Sequence, residues 1–173
     1  EEREGMELSV KLAKSIGSDL VIATDPDADR CAIAVIMADG SVEMFSGNQI
    51  GVLLCDFIVS VLKENNNMPE NPAVISTIVS TLMIKKVCAD NNIDYFEVLT
   101  GFKYIGERIA EFEKENSHTF LLGFEESFGY LKGTYARDKD AVVAAMLITQ
   151  MAMYYKNKNM NIKQAMDELY KKY

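Results

Sequence analysis

The run Asp25-Pro26-Asp27-Ala28-Asp29-Arg30 sets three carboxylates at alternate positions and closes on an arginine. It lies between the apolar runs Leu20-Val21-Ile22-Ala23-Thr24 and Cys31–Met37, so two buried strands should meet at a turn packed with negative charge. Unit charges about 4 Å apart interact by roughly 4 kcal/mol at an effective dielectric of 20, so converging carboxylates need a cation or a proton. Oxygen-only ligands favour a hard ion, Mg2+ above all where phosphate is involved. Arg30 adds a fixed positive charge suited to phosphate. The chemistry these residues suit is phosphoryl transfer.

Other sites share the spacing and fit less well. An EF-hand calcium loop has Asp at positions 1, 3 and 5 but then needs Gly at 6 and Glu at 12. Those places hold Arg30 and Ile36, and strands flank the loop where helices should, so the calcium reading fails. A haloacid-dehalogenase-like phosphatase also uses Asp-x-Asp after a strand. Its usual following Thr is absent here, and no second acidic pair stands at a suitable strand end, which leaves it a minor alternative. The bland reading is a solvated acidic turn.

Three further segments could carry chemistry. In Gly123-Phe124-Glu125-Glu126-Ser127-Phe128-Gly129, a strand runs into two carboxylates and a hydroxyl bracketed by glycines. If the segment is extended, Glu125 and Glu126 point to opposite sides, so one could accept hydrogen bonds from sugar hydroxyls together with Ser127. The competing reading is a helix N-terminal turn bearing acids. In Leu99-Thr100-Gly101-Phe102-Lys103, a strand ends and a helix starts, and the turn's N–H groups and Lys103 could meet an anion. Taken alone, Thr100 reads as an N-cap. Arg137-Asp138-Lys139-Asp140 opens an apolar helix, as a capping arrangement or as two bases able to bind phosphate or move a proton. His118, the single histidine, lies in a polar run and is expected at the surface. No Ser-His-Asp or Cys-His arrangement is available, which argues against a hydrolase triad.

The elements that must position these segments follow from periodicity. Helix 3–16 is stopped by Gly17; strands 20–24 and 31–37 flank the acidic loop, and a turn at Ala38–Ser41 leads into a short strand at 42–45. Then come helix 48–63, strand 73–79, helix 81–91, strand 94–98, helix 103–115 and strand 119–122. After an irregular loop follow helices 139–156 and 161–171. Strands alternating with helices predict an α/β fold, a mixed, mostly parallel sheet flanked by helices. The acids lie at the carboxyl end of a strand, the end where ligands bind in open α/β sheets. A boundary is placed near residue 45, with a partial domain before it and a near-complete one after.

Composition narrows the function. The 173 residues are 49% apolar and 25% charged, enough to bury a core. A net charge of −8 argues against nucleic-acid or membrane-surface partners, so an anionic substrate must be held by local Arg and Lys. Three widely spaced cysteines suggest reduced thiols in a cytoplasmic protein. No apolar stretch reaches the ~18 residues that span a bilayer, and no signal peptide is visible. The chain opens on Glu1 directly into a helical pattern and reads as a piece of a longer protein.

Taken together and in this order, Thr24–Arg30, Thr100–Lys103, Gly123–Gly129 and Arg137–Asp140 resemble the α-D-phosphohexomutase superfamily, nearest its phosphoglucomutase/phosphomannomutase branch. Members have four domains around one cleft, and the resemblance makes residues 1–45 the latter half of the second domain and 46–173 most of the third. It implies Mg2+ held by Asp25, Asp27 and Asp29, with Arg30 near the reacting phosphoryl group. It implies sugar contacts from Glu125 and Ser127, and a substrate-facing turn at Thr100, Gly101 and Lys103. Lys139 matches a lysine proposed as a proton shuttle, and Arg137 stands beside it as a further substrate-binding base. The implied reaction passes a phosphoryl group from a phosphoserine to a hexose phosphate and takes back the other from a hexose 1,6-bisphosphate, which activates the parent enzyme.

The chain also departs from that pattern. It has no Ser-His-Asn-Pro-type loop for the phosphoserine and no Arg- and Ser/Gly/Thr-rich phosphate loop, so the fragment alone is expected to be inactive. Pro26 and Ala28 stand where many members carry Gly, a variant of the phosphoglucomutase-like branch. Glucose phosphate is the expected substrate. Phosphomannomutase, phosphopentomutase and a non-catalytic metal- or sugar-phosphate-binding module are the alternatives.

Overall fold

The computed structural model describes residues 4–173. A 3-10 turn (Glu4–Met6) leads into α1 (Glu7–Ile16), which ends at Gly17 with φ 74 and a cap N–H on Ala13 O. Strands β1 (Leu20–Thr24), β2 (Cys31–Ile36) and β3 (Val42–Met44) form an antiparallel meander in that order. Thr24 pairs with Cys31, so the acidic hexad is the whole connection between β1 and β2. Residues Cys31–Val35 are all buried because both faces of β2 are covered. Ala32 and Ala34 meet Met6 and Ala13, whereas Cys31, Ile33 and Val35 join the main core.

Helix α2 (Gly47–Glu64) begins at a capping box, in which Ser46 accepts from Gln49 N–H and the Gln49 side chain accepts from Ser46 N–H. A second sheet then forms from β4 (Pro72–Thr77), β5 (Asp94–Val98), β6 (Thr119–Phe124) and β7 (Tyr130–Leu131), in the order β5-β4-β6-β7. Its first three strands are parallel and β7 is antiparallel to β6. The connecting helices are α3 (Met83–Asp90), α4 (Phe102–Glu115), α5 (Ala141–Asn157) and α6 (Ile162–Lys172).

Alternation along β4 sorts the helices onto two faces. Ala73 and Ile75 pack with Phe102, Ile105, Ile109 and Phe112 of α4, while Val74 joins the core shared with α2, α3, α5 and α6. Each fully buried Ile of α4 contributes about 1.5–3 kcal/mol, so this face holds α4 firmly over the sheet. The α/β class expected from the sequence, a mostly parallel sheet flanked by helices, is the one observed.

Boundaries differ where local hydrogen bonds override periodicity. Strand β4 stops at Thr77 because Ser80 N–H turns back onto Thr77 O at 3.0 Å, and α3 starts only at Met83. The expected irregular loop after β6 contains β7, too short to leave a period. Gly101, not Thr100, occupies the N-cap of α4 and makes no side-chain cap bond. Glu125 and Glu126 lie in the β6–β7 connection, not in a helix turn. His118 is not a plain surface residue: it packs on Phe96 and Phe112 at 5.0 and 4.7 Å and reaches Asp94 Oδ2 at 3.2 Å. The expected start of helix 3–16 falls partly on residue 3, outside the described residues. Cys31, Cys55 and Cys88 are free and buried. Among the described residues, no helix is long and apolar enough to cross a membrane.

Candidate active site

Backbone hydrogen bonds bring the sequence-predicted segments together. Cys31 N–H donates to Phe128 O at 3.0 Å, and Arg30 bridges Gly129 in antiparallel fashion, which stitches the acidic loop to the Glu125–Gly129 loop. Ala141 N–H donates to Ala28 O at 3.1 Å and Asp140 N–H to Tyr130 O at 2.9 Å, which draws in residues 137–140. Gly101 N–H donates to Glu125 Oε1 at 2.9 Å and ties the turn before α4 to the same place. Four segments far apart in the chain thus share one corner, at the carboxyl ends of β1, β5 and β6.

Within the acidic loop the three carboxylates have different surroundings. Asp25 is almost covered; its Oδ1 accepts from the N–H groups of Asp29 and Arg30 at 3.1 Å each, and its Oδ2 from Arg30 Nε at 2.8 Å. Burial alone would raise this carboxyl, but the Arg30 guanidinium and the two N–H groups hold it well below the usual carboxylate range. Asp27 is exposed at the loop tip, next to Ala28 with φ 55. Asp29 Oδ2 pairs with Lys139 Nζ at 3.0 Å. The carboxylates therefore face Arg30, solvent and Lys139 in turn. No group of three His, Cys, Asp or Glu among the described residues is gathered so as to hold a metal ion.

Lys139 links the acidic loop to the second one. Its stem runs across Gly129 so closely that a Cβ there would lie 2.3 Å from Lys139 Cδ, a space that only glycine leaves open. Its ammonium also reaches Asp138 Oδ1 at 3.3 Å and lies 5.8 Å from the Phe102 ring centroid. Burial works against its charge, yet the hydrogen bonds to Asp29 and Asp138 prevail and push its pKa up. Glu125 is 6% exposed, and burial raises its carboxyl above the ordinary value despite the Gly101 N–H and the charge of Lys139.

The remaining predicted residues stand further out. Ser127 and Thr100 are exposed on the rim, as is Lys103, whose Nζ lies 4.7 Å from the Tyr104 ring centroid. Arg137 is engaged elsewhere: its guanidinium donates to Thr134 O at 2.6 Å and Ala136 O at 3.1 Å and pairs with Glu113 of α4. Sequence reasoning missed Thr77, whose hydroxyl donates to Glu126 Oε2 at 3.1 Å, and Phe102 beneath Lys139. A threonine ending an apolar strand reads as a β-former, so nothing in the sequence marked it.

One lysine thus joins an acidic loop and a glycine-bracketed carboxylate loop at the carboxyl edge of this α/β frame. The family described as phosphoglucomutase/phosphomannomutase, alpha/beta/alpha domain III, matches residues 46–173, and the chain belongs to that family. It is 38% identical over 171 residues to the human glucose 1,6-bisphosphate synthase, covering 97% of this chain and 27% of that one. It is 37% identical over 170 residues to a phosphoglucomutase of Staphylococcus aureus, covering 98% and 30%. The chain thus spans less than a third of the length of these relatives. A solved phosphoglucomutase/phosphomannomutase family protein from Burkholderia thailandensis shares the fold, with TM-score 0.70 and 15% identity over 97% of this chain and 32% of its own.

Proposed function

We propose that this chain is the metal- and sugar-binding part of a phosphohexomutase that interconverts the 1- and 6-phosphates of a hexose, glucose first. The observation that carries the reading is Lys139, paired with Asp29 of the acidic loop at 3.0 Å while its stem lies against Gly129 beside Glu125. In this reading residues 1–45 belong to the end of a second domain and 46–173 to most of a third. The reading is supported by two relatives whose names describe glucose phosphate chemistry.

The oxygen donors Asp25, Asp27 and Asp29 suit a hard ion, so these side chains would hold Mg2+, with Arg30 and Lys139 exchanging partners to release them. When bound, the ion supplies Lewis acidity that neutralises charge on the transferring phosphoryl group. Arg30, on turning from Asp25, would bind phosphoryl oxygens with its fixed charge. Glu125 and Ser127 accept hydrogen bonds from sugar hydroxyls, and burial of Glu125 excludes competing water. Thr100, Gly101 and Lys103 would line the approach of the substrate, and Arg137 would join them only by leaving Glu113 and the Thr134 and Ala136 carbonyls. Lys139 moves a proton at the hydroxyl that gains or loses the phosphoryl group. The phosphoserine comes from outside these 173 residues, in a cytoplasmic parent activated by hexose 1,6-bisphosphate.

The test is a comparison of the full-length gene product and its Glu125→Gln variant on glucose, mannose and ribose 1-phosphates. Turnover is expected to be fastest on glucose 1-phosphate, and E125Q should lower kcat/KM about 100-fold. An active enzyme that is indifferent to E125Q would remove Glu125 from the site.

A further inference from the structure

Thr77 ends the central strand β4 and is fully buried, an unusual place for a hydroxyl. Its Oγ1 donates to Glu126 Oε2 at 3.1 Å and lies 3.0 Å from Ser80 Oγ. A hydroxyl carries one proton, so with the Thr77 proton on Glu126, Ser80 must donate to Thr77. The relay therefore has one direction, Ser80 to Thr77 to Glu126. Ser80 is itself held, its N–H on Thr77 O at 3.0 Å. The backbone of Glu126 is clamped as well: a Cβ on Gly47 would lie 2.1 Å from Glu126 O, so the first turn of α2 abuts the loop directly.

Neighbouring carboxylates consequently pin the loop from two sides. Glu125 ties it to Gly101 N–H before α4, and Glu126 ties it to the end of β4 through Thr77. Ser127, the next residue, is left exposed. We propose that Thr77, acting through Glu126, is a positioning residue that sets where Glu125 and Ser127 stand against the sugar. This inference rests on the sugar-phosphate reading of the same loop. Replacing Thr77 by valine keeps the shape and removes the donor, so the half-exposed Glu126 carboxylate turns to water and the loop loses one of its two side-chain ties, while its backbone ties to Cys31 and Arg30 remain.

The experiment is a double-mutant cycle in the full-length enzyme with glucose 1-phosphate. Because a displacement of about 1 Å can cost 10²-fold, Thr77→Val is expected to lower kcat/KM about 10- to 100-fold, mainly through KM. Thr77→Ser, which restores the donor, should stay within about threefold of wild type. Glu126→Ala should reproduce the loss of T77V, and the double variant should be no worse than either, since both remove one interaction. A purely structural role would lower Tm and leave the kcat/KM of folded enzyme unchanged. That outcome, or losses that multiply in the double variant, overturns the inference. If T77V does not fold, E126A carries the same expectation, because its side chain is only partly buried. A wild type inactive on every hexose phosphate sinks the functional reading and this inference with it; an active wild type with an indifferent T77V sinks this inference alone.

Discussion

Glu125 and Asp25 are both covered carboxylates, yet their surroundings push them in opposite directions. For Glu125, burial outweighs the Gly101 N–H and Lys139, so its proton leaves at higher pH than the ordinary 4.5. An acceptor for sugar hydroxyls must be ionised. The acid limb of the kcat/KM profile should therefore have its midpoint above 4.5 and vanish in E125Q, as steady-state kinetics across pH would show. A limb that survives in E125Q belongs to another group. Asp25 is lowered by Arg30 in spite of burial, so its stabilising share is present above the ordinary 3.8 and is lost as pH falls below it. Asp25→Asn should accordingly flatten the acid side of the stability curve followed by circular dichroism. The residue types and spacing of both carboxylates were legible in the sequence. Their contrasting environments were not, because burial and partners arise only when Arg30, Gly101 and Lys139 converge.

At the scale of elements, short connections set the site. Helix α5 starts where Asp140 Oδ1 accepts from Val142 and Val143 N–H at 2.8 and 3.0 Å, while its Oδ2 accepts from Tyr135 at 2.6 Å. The sequence pattern begins this helix at 139; the cap frees Lys139 from the helix and lets it reach Asp29. Asp140→Ala should cost about 1 kcal/mol in denaturant unfolding, the ordinary loss of an N-cap. Gly129→Ala tests the other support of Lys139. The atoms in its way are Cδ and Cγ of Lys139, the inner part of its stem, so the stem must shift and kcat/KM should fall as Lys139 is displaced, alongside some loss of Tm. A fall in Tm without a fall in kcat/KM would mean that the glycine serves packing only. Strand and helix alternation was readable because each long element buries a periodic face. Strand β7 and the early end of β4 were not, since two residues and one backbone hydrogen bond leave no period in a sequence.

For the whole molecule, two sheets of different kind meet at the corner that holds the acidic and carboxylate loops. The antiparallel meander carries the acids at a hairpin tip, and the mostly parallel sheet carries the carboxylate loop at its carboxyl edge. The meander packs its Cys31, Ile33 and Val35 face into the large core, which fixes the two loops against each other. On the proposed reading, these 173 residues supply the sugar and metal contacts of a mutase whose phosphoserine lies in another part of the parent. The isolated chain should therefore show no mutase turnover, even with glucose 1,6-bisphosphate added. The measurement that bears most directly on the account is 31P NMR of the full-length gene product with glucose 1-phosphate, Mg2+ and a trace of glucose 1,6-bisphosphate. Growth of the glucose 6-phosphate signal at the expense of glucose 1-phosphate is the expected result. A spectrum that stays unchanged with this and every other hexose 1-phosphate would contradict it.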